Sequence, residues 1–287
     1  HLQTIDALSG VTHRSFTYGT HGWLTAVADT YGNTLTIQRA SDGRPESITS
    51  PDGHVTTLML NAEGFLSHVT NPAGEAWQFA YDGATGLLTR SEDPRGQASQ
   101  YTFDLDGRLV RADDAAGGHR TLTRTRLSPT NHHVVSRTGE GRTTRFGVRF
   151  DYFGAPVHET TFSDGSAVSS RRWAVGRRSE DGSVDHSFPG GSKATMWHRP
   201  SPRFGFASPV GSVAIETPSG LRRTSGVSQQ VDLSDPADPL SIVSLTSMMT
   251  VNGKATTSVY TAATRTIETT TPEGRVVTAV LDAHGRV

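Results

Sequence analysis

Twelve histidines and 28 Asp and Glu side chains supply the donor types from which a metal centre could be built. The nearest candidates are the adjacent pairs His132-His133 and His158-Glu159. Neighbours along a strand point to opposite faces, so neither pair grips one ion from regular strand geometry. Both read as surface or turn residues. Asp104-x-Asp106-Gly107 opens like a calcium loop. It lacks the further oxygen ligands and the closing glutamate of such a loop, and aspartate ahead of glycine is already explained by turn formation. There is no Gly-x-Ser-x-Gly elbow, and no unique Ser-His-Asp set can be picked from so many serines and histidines. Gly117-Gly118 lacks the lysine and hydroxyl of a phosphate loop. The absence of cysteine removes disulfides, thiolate nucleophiles and Cys-based metal sites together. A non-enzymatic chain without catalytic, cofactor-binding or metal-binding residues is expected.

Arg120, Arg124 and Arg126 share one strand parity, and Arg171-Arg172 and Arg177-Arg178 add further positive charge. The total is nevertheless balanced, 27 Lys and Arg against 28 Asp and Glu for a formal charge of −1. With no aromatics interleaved, these rows read as solvated strand faces or cross-strand pairs, and no nucleic-acid partner is expected. No apolar run is long enough to span a bilayer, and His1-Leu2-Gln3 does not begin a signal peptide. A start at His1 and a stop at Gly285-Arg286-Val287, inside a motif, read as a piece of something longer.

The elements that would position these residues are announced by glycine. Gly22, Gly43, Gly64, Gly86 and Gly107 follow one another at 21, 21, 22 and 21 residues. Gly32, Gly53, Gly74, Gly96 and Gly117 keep the same separations at a constant offset of 10. Two registers locked over five copies identify a repeat array. Gly285 and Gly274 carry the same two frames near the end, in His284-Gly285-Arg286-Val287 and Pro272-Glu273-Gly274. These twelve glycines are the candidate structural residues. Proline presets the leading turn position in copies such as Pro51-Asp52-Gly53, and the glycine takes the positive φ that closes the turn.

Between turns the period is two. Trp77, Phe79 and Tyr81 alternate with Gln78 and Ala80, and Tyr101, Phe103 and Leu105 alternate with Thr102 and Asp104. The predicted fold class is all-β, a long spiralling sheet of repeated antiparallel hairpins with almost no helix. The expected organisation is regular repeats over 1–182, a Pro-rich irregular β continuation over 183–240, and further repeat strands over 241–287, all forming one continuous array. Seven of the 14 prolines fall between Pro189 and Pro239. Since proline cannot donate to a ladder, central strands there are expected to be short or edge-like.

The unit Phe103-Asp104-Leu105-Asp106-Gly107-Arg108-Leu109, and the variant Ala80-Tyr81-Asp82 ahead of Gly86-Leu87-Leu88, resemble the Rhs or YD repeat. Pro202-Arg203-Phe204-Gly205 with Thr217-Pro218-Ser219-Gly220 resembles the spacer between repeat blocks of bacterial members. That family includes bacterial polymorphic toxins, the encapsulating component of insecticidal toxin complexes, wall-associated proteins and the teneurins. The resemblance implies hairpins wound into a shell around a hollow interior, secreted or at the bacterial cell surface. Its implied partners are the rest of a longer polypeptide and an enclosed toxin domain. Asp238-Pro239-Leu240 lacks the glycine of the motif at which such shells cut themselves, so autoproteolysis is not carried over. The aromatic and acidic residues of the repeat vary, from Tyr81-Asp82 to Leu60-Asn61 and Tyr18-Gly19, which fits packing and turn anchoring better than catalysis.

The leading expectation is a structural shell or scaffold segment that encapsulates or presents a cargo polypeptide. The alternatives are an extracellular adhesive or carbohydrate-binding module, and a filament-forming subunit that self-associates through strand edges.

Overall fold

The computed structural model describes residues 2–173 and 182–287, with the side chains of 206–209 left aside. The chain is all-β: 24 antiparallel strands, β1–β24 in chain order, and no helix among the described residues. It divides into two compact units. The first comprises His1–Asp6, Val11–Thr123 and Ser136–Arg142; the second comprises Ala7–Gly10, Arg124–Val135 and Thr143–Val287.

In the first unit the run from β2 (Thr12–Tyr18) through β3 (Leu24–Asp29), β4 (Thr34–Arg39), β5 (Pro45–Thr49) and β6 (Val55–Leu60) is a meander, each strand pairing with the next. It continues through β7 (Leu66–Thr70), β8 (Ala76–Tyr81), β9 (Leu88–Glu92), β10 (Ala98–Phe103) and β11 (Leu109–Asp113). Alternate hairpins differ. Those closed by Gly22, Gly43, Gly64, Gly86 and Gly107 each contain a register shift, placed between Thr17 and Tyr18, Gln38 and Arg39, Met59 and Leu60, Ala80 and Tyr81, and Thr102 and Phe103. The intervening hairpins pair without a shift.

In the second unit β14 (Thr143–Phe150), β15 (Pro156–Thr161), β16 (Ala167–Trp173), β17 (Gly182–Ser187) and β18 (Lys193–Ser201) form successive antiparallel pairs. The next two strands correct the expectation for the Pro-rich region. β19 (Gly205–Glu216) and β20 (Arg222–Leu233) are 12 residues each, the longest of the 24 strands. Pro189, Pro202, Pro218, Pro236 and Pro239 all stand in turns or loops between strands. Pro200 falls at the register shift between Arg199 and Ser201, where one missing N–H costs no ladder bond, and Pro209 lies on the facing irregular stretch. Position within the hairpin, rather than proline count, sets strand length. β21 (Ile242–Val251), β22 (Lys254–Thr261), β23 (Thr266–Thr270) and β24 (Val276–Val280) complete the unit.

Burial is slight. Ala155, Val157, Ala194, Tyr260 and Leu281 are the buried apolar residues among those described. The exposed area is 18312 Å², where a compact globule of this mass exposes about 12,000 Å². Ladder hydrogen bonds and side-chain rows along each face therefore carry much of the stability.

Candidate functional site

The residues with the most regular geometry are those of the hairpin ends. All twelve glycines singled out by spacing have φ between +70 and +89°. The usual arrangement is a type I turn followed by a left-handed glycine. At Gly43 the N–H donates to the Ala40 carbonyl at 3.0 Å, and the Ala40 N–H donates to the Arg44 carbonyl at 2.9 Å. Gly43 also answers a packing demand: a methyl built there would lie 2.2 Å from the Trp23 indole. Trp23 itself follows Gly22, one repeat earlier. The same offset places Phe65, which follows Gly64, 2.7 Å from a methyl at Gly86, and Leu87 3.7 Å from one at Gly107. Thus at three of the four steps in the series the side chain after one turn glycine lies against the next turn glycine. Arg44 does not cover Gly64, and its Nε lies 3.4 Å from Asp42.

The register shifts have their own chemistry. Each leaves an extra residue three positions after the turn glycine: Thr25, Glu46, Ser67, Thr89 and Val110. Such a bulge interrupts the ladder. At three of the five the extra residue's hydroxyl bonds a carbonyl across the break: Thr25 to Thr17 at 3.1 Å, Ser67 to Met59 at 3.0 Å, and Thr89 to Ala80 at 3.2 Å. The aromatic beside the shift is used as well. The Tyr81 hydroxyl donates to the Leu66 carbonyl at 2.9 Å, and its ring stacks on Phe65 with centroids 5.0 Å apart.

The acidic residue of the repeat anchors the turn. Asp104 Oδ1 accepts the N–H groups of Asp106 at 3.0 Å and Arg108 at 2.9 Å. Asp29, Asn71, Asp93, Asp114, Asp151 and Asp282 accept from the residues two and four ahead in the same way. These bonds favour the ionised form. Asp104 is held below the usual carboxylate range chiefly by the Arg108 N–H, and Asp282 is lowered to about 2 chiefly by the Arg286 N–H. Asp29 is lowered mainly by Asn33, Asp82 by the Thr85 hydroxyl and Asp164 by the Ser166 hydroxyl.

The other chemistry-bearing residues are dispersed. Asp104 and Asp106 both face Arg108 rather than converging on an open site. His133 Nδ1 lies 3.3 Å from Arg145 Nη2, and His158 and Glu159 occupy successive positions of β15. Arg126 Nε donates to the Ser128 carbonyl at 3.3 Å. Arg171 Nε sits 3.3 Å from Asp151 and its guanidinium lies 5.3 Å from the Trp173 ring centroid. Arg177-Arg178 lies outside the described residues.

One cleft stands out in the second unit, a space of about 320 Å³ on the face of β14–β18. Register places Arg149, Val157, Arg171, Asp185 and Thr195 in one row across five strands. The adjacent row on the same face contributes Ser169, Ser187 and Lys193. Asp185 accepts the Thr195 hydroxyl at 2.9 Å on Oδ1 and the Trp173 indole N–H at 2.8 Å on Oδ2. Nothing in the one-dimensional pattern marks this cleft, because its residues come from five separate strands.

Hairpins repeated at a near-constant period, with anchored and interlocking ends, define a repeat protein. The chain belongs to the teneurin YD-shell family, whose model matches residues 1–198. It is 32% identical to mouse teneurin-3 over 117 residues, 41% of this chain and 4% of that protein. Against chicken teneurin-1 it is 26% identical over 230 residues, 76% of this chain and 8% of the relative. The chain thus spans a small fraction of these relatives' length. Among solved structures, TcdB2-TccC3 without its hypervariable C-terminal region aligns over 95% of this chain and 18% of that chain, at 10% identity and a TM-score of 0.38.

Proposed function

We propose that the chain is a non-enzymatic segment of a shell wall that encloses or presents a cargo polypeptide within a longer exported protein. Its regular hairpin repeats and its Pro-rich stretch then serve one continuous array. The observation that carries this reading is the interlock at alternate turns, where Trp23 covers Gly43 and Phe65 covers Gly86. A repeating contact between hairpin ends holds one hairpin at a fixed setting to the next, which a wall requires and a flexible binding ribbon does not. Family membership supports a structural role and a location outside the cytoplasm. The test is negative-stain imaging of the purified chain beside protease protection of whatever segment follows it in the full-length protein. Curved walls and a protected segment are the expected result. A compact particle with the segment fully digested would overturn it.

A further inference from the structure

We propose that a cleft over β10, β11 and the start of β12 (His119–Ser128) binds a neutral saccharide, one pyranose ring seated against Tyr101 with its hydroxyls shared between Asp114 and Arg120. This goes beyond the shell reading and stands whether or not a cargo is enclosed.

The cleft is a space of about 970 Å³ wholly within the first unit, flanked by the turns at 114–118 and 138–142. Tyr101, Ala112 and Arg120 form one cross-strand row along its floor. Tyr101 and Arg120 stand two strands apart, about 10 Å at roughly 4.8 Å per strand, with only a methyl between them. The Tyr101 hydroxyl lies 3.2 Å from Ser91 Oγ on β9, so the ring leans away from Ala112 and widens the gap.

The first of the flanking turns departs from its own series. Asn33, His54, Glu75 and Gln97 follow Gly32, Gly53, Gly74 and Gly96, whereas Gly118 follows Gly117. At two of those turns the following side chain engages the anchor residue: Asn33 Nδ2 donates to Asp29 Oδ2 at 2.8 Å, and Glu75 accepts from Asn71 Nδ2 at 2.7 Å. Gly118 has no side chain to do so. Asp114 Oδ1 accepts the Ala116 and Gly118 N–H groups, both at 2.9 Å, and Oδ2 accepts from no described residue. Gly118 lacks a positive φ, and a methyl built there would overlap Oδ2, so glycine answers a demand for space rather than for backbone conformation. Gly139 also lacks a positive φ, and a methyl there would lie 2.9 Å from the His119 ring.

Charge in the cleft is balanced. Glu140 lies 3.7 Å from Arg142, and Asp113 accepts Arg111 Nε at 2.8 Å. What remains is one acceptor, Asp114 Oδ2, and one donor group, the Arg120 guanidinium, which has no hydrogen-bond or ion-pair partner among the described residues. An anion or a cation meets one like charge for each opposite one. Adjacent hydroxyls donate and accept together and so satisfy both groups, while the C–H face of a pyranose covers the tyrosine ring. A polypeptide is less well served, because β10 and β11 are each paired along both sides and offer no free ladder groups.

The probes are maltose, cellobiose and N,N′-diacetylchitobiose, followed by saturation-transfer difference NMR and titration calorimetry. At least one is expected to bind, and Arg120→Met lowers its affinity about tenfold or more, since a hydrogen bond to a charged group is lost. Gly118→Asn places at this turn the side chain that Asn33 supplies at its own, occupies Oδ2, and lowers binding as far without lowering the urea midpoint. Asp114→Asn keeps the turn, which Asn71 anchors elsewhere in the series, and removes the acceptor. Arg95→Met, at an exposed cation of another turn, changes binding by about twofold at most. In the unaltered protein the sugar slows hydrogen exchange over 114–120 and 138–142 but not over 71–75, a readout independent of any variant's folding. No saturation transfer to any of these sugars at millimolar concentration, equal loss in the Arg95 variant, or unchanged binding in Gly118→Asn would overturn the proposal. So would tighter binding of trigalacturonate, or of a neutral Gly-Ser peptide, than of every neutral sugar.

Discussion

Gly43 and Gly64 occupy equivalent places in consecutive repeats, share φ of +89°, and differ in what covers them. Replacing either with alanine forces a Cβ into the left-handed region, at about 1–2 kcal/mol. At Gly64 nothing lies within 4 Å of the new methyl, so that is the whole effect. At Gly43 the methyl meets the Trp23 ring at 2.2 Å, and the indole must leave its seat. Displacement of a packed group adds about 1–3 kcal/mol, for a total of about 2–5 kcal/mol at Gly43. Urea denaturation of Gly43→Ala, Gly64→Ala, Trp23→Ala and the Gly43→Ala/Trp23→Ala double variant separates the two contributions. The double variant should cost less than the sum of its singles by about the packing part, 1–3 kcal/mol. Equal destabilisation at Gly43 and Gly64, with additivity in the cycle, would refute the interlock and leave only backbone strain.

Thr89→Val removes the hydroxyl that bridges the broken ladder and should destabilise by about 0.5–1.5 kcal/mol, whereas Val110→Thr, at the apolar bulge of the same series of five, should stabilise by a similar amount in the same assay. Tyr81→Phe loses the bond to the Leu66 carbonyl and is expected to cost about 1 kcal/mol while leaving the ring on Phe65. Because Asp29, Asp82, Asp104, Asp164 and Asp282 have folded-state pKa values below the ordinary 3.8, their stabilisation is complete above about pH 4 and is lost as pH falls through the lowered values. The denaturation midpoint should decline below about pH 4, and Asp104→Asn should flatten part of that decline. A midpoint unchanged down to pH 2, where Asp282 titrates at about 2, would contradict the anchoring role.

The turns were legible because a left-handed residue is written as glycine, and a period of 21 makes the writing visible. The strands followed from alternation, as at Trp77, Phe79 and Tyr81. The covering of Gly43 by Trp23 was not legible, since it joins two turns through lateral packing that no local rule encodes. The bulge residues were hidden for another reason: Thr25, Ser67 and Thr89 look like ordinary strand residues, and only their constant distance from glycine hints at a role. Proline misled at β19 and β20, where the composition of a window was read as a property of the strands rather than of the turns between them. Asn252-Gly253, with φ of 48 and 82°, closes the two-residue hairpin between β21 and β22 and was a local signal the glycine spacing passed over.

The two margins of the first unit's meander are unequal in what they tolerate. At Gly32, Gly53, Gly74 and Gly117 the space around the turn is empty, whereas Gly43 and Gly86 are roofed by a ring from the hairpin before. Extra residues inserted at the open turns disturb one loop; at Gly43 and Gly86 they unseat a neighbouring ring as well. Variation in loop length, and any epitope or tag grafted by design, belongs on the side of Gly53 and Gly74.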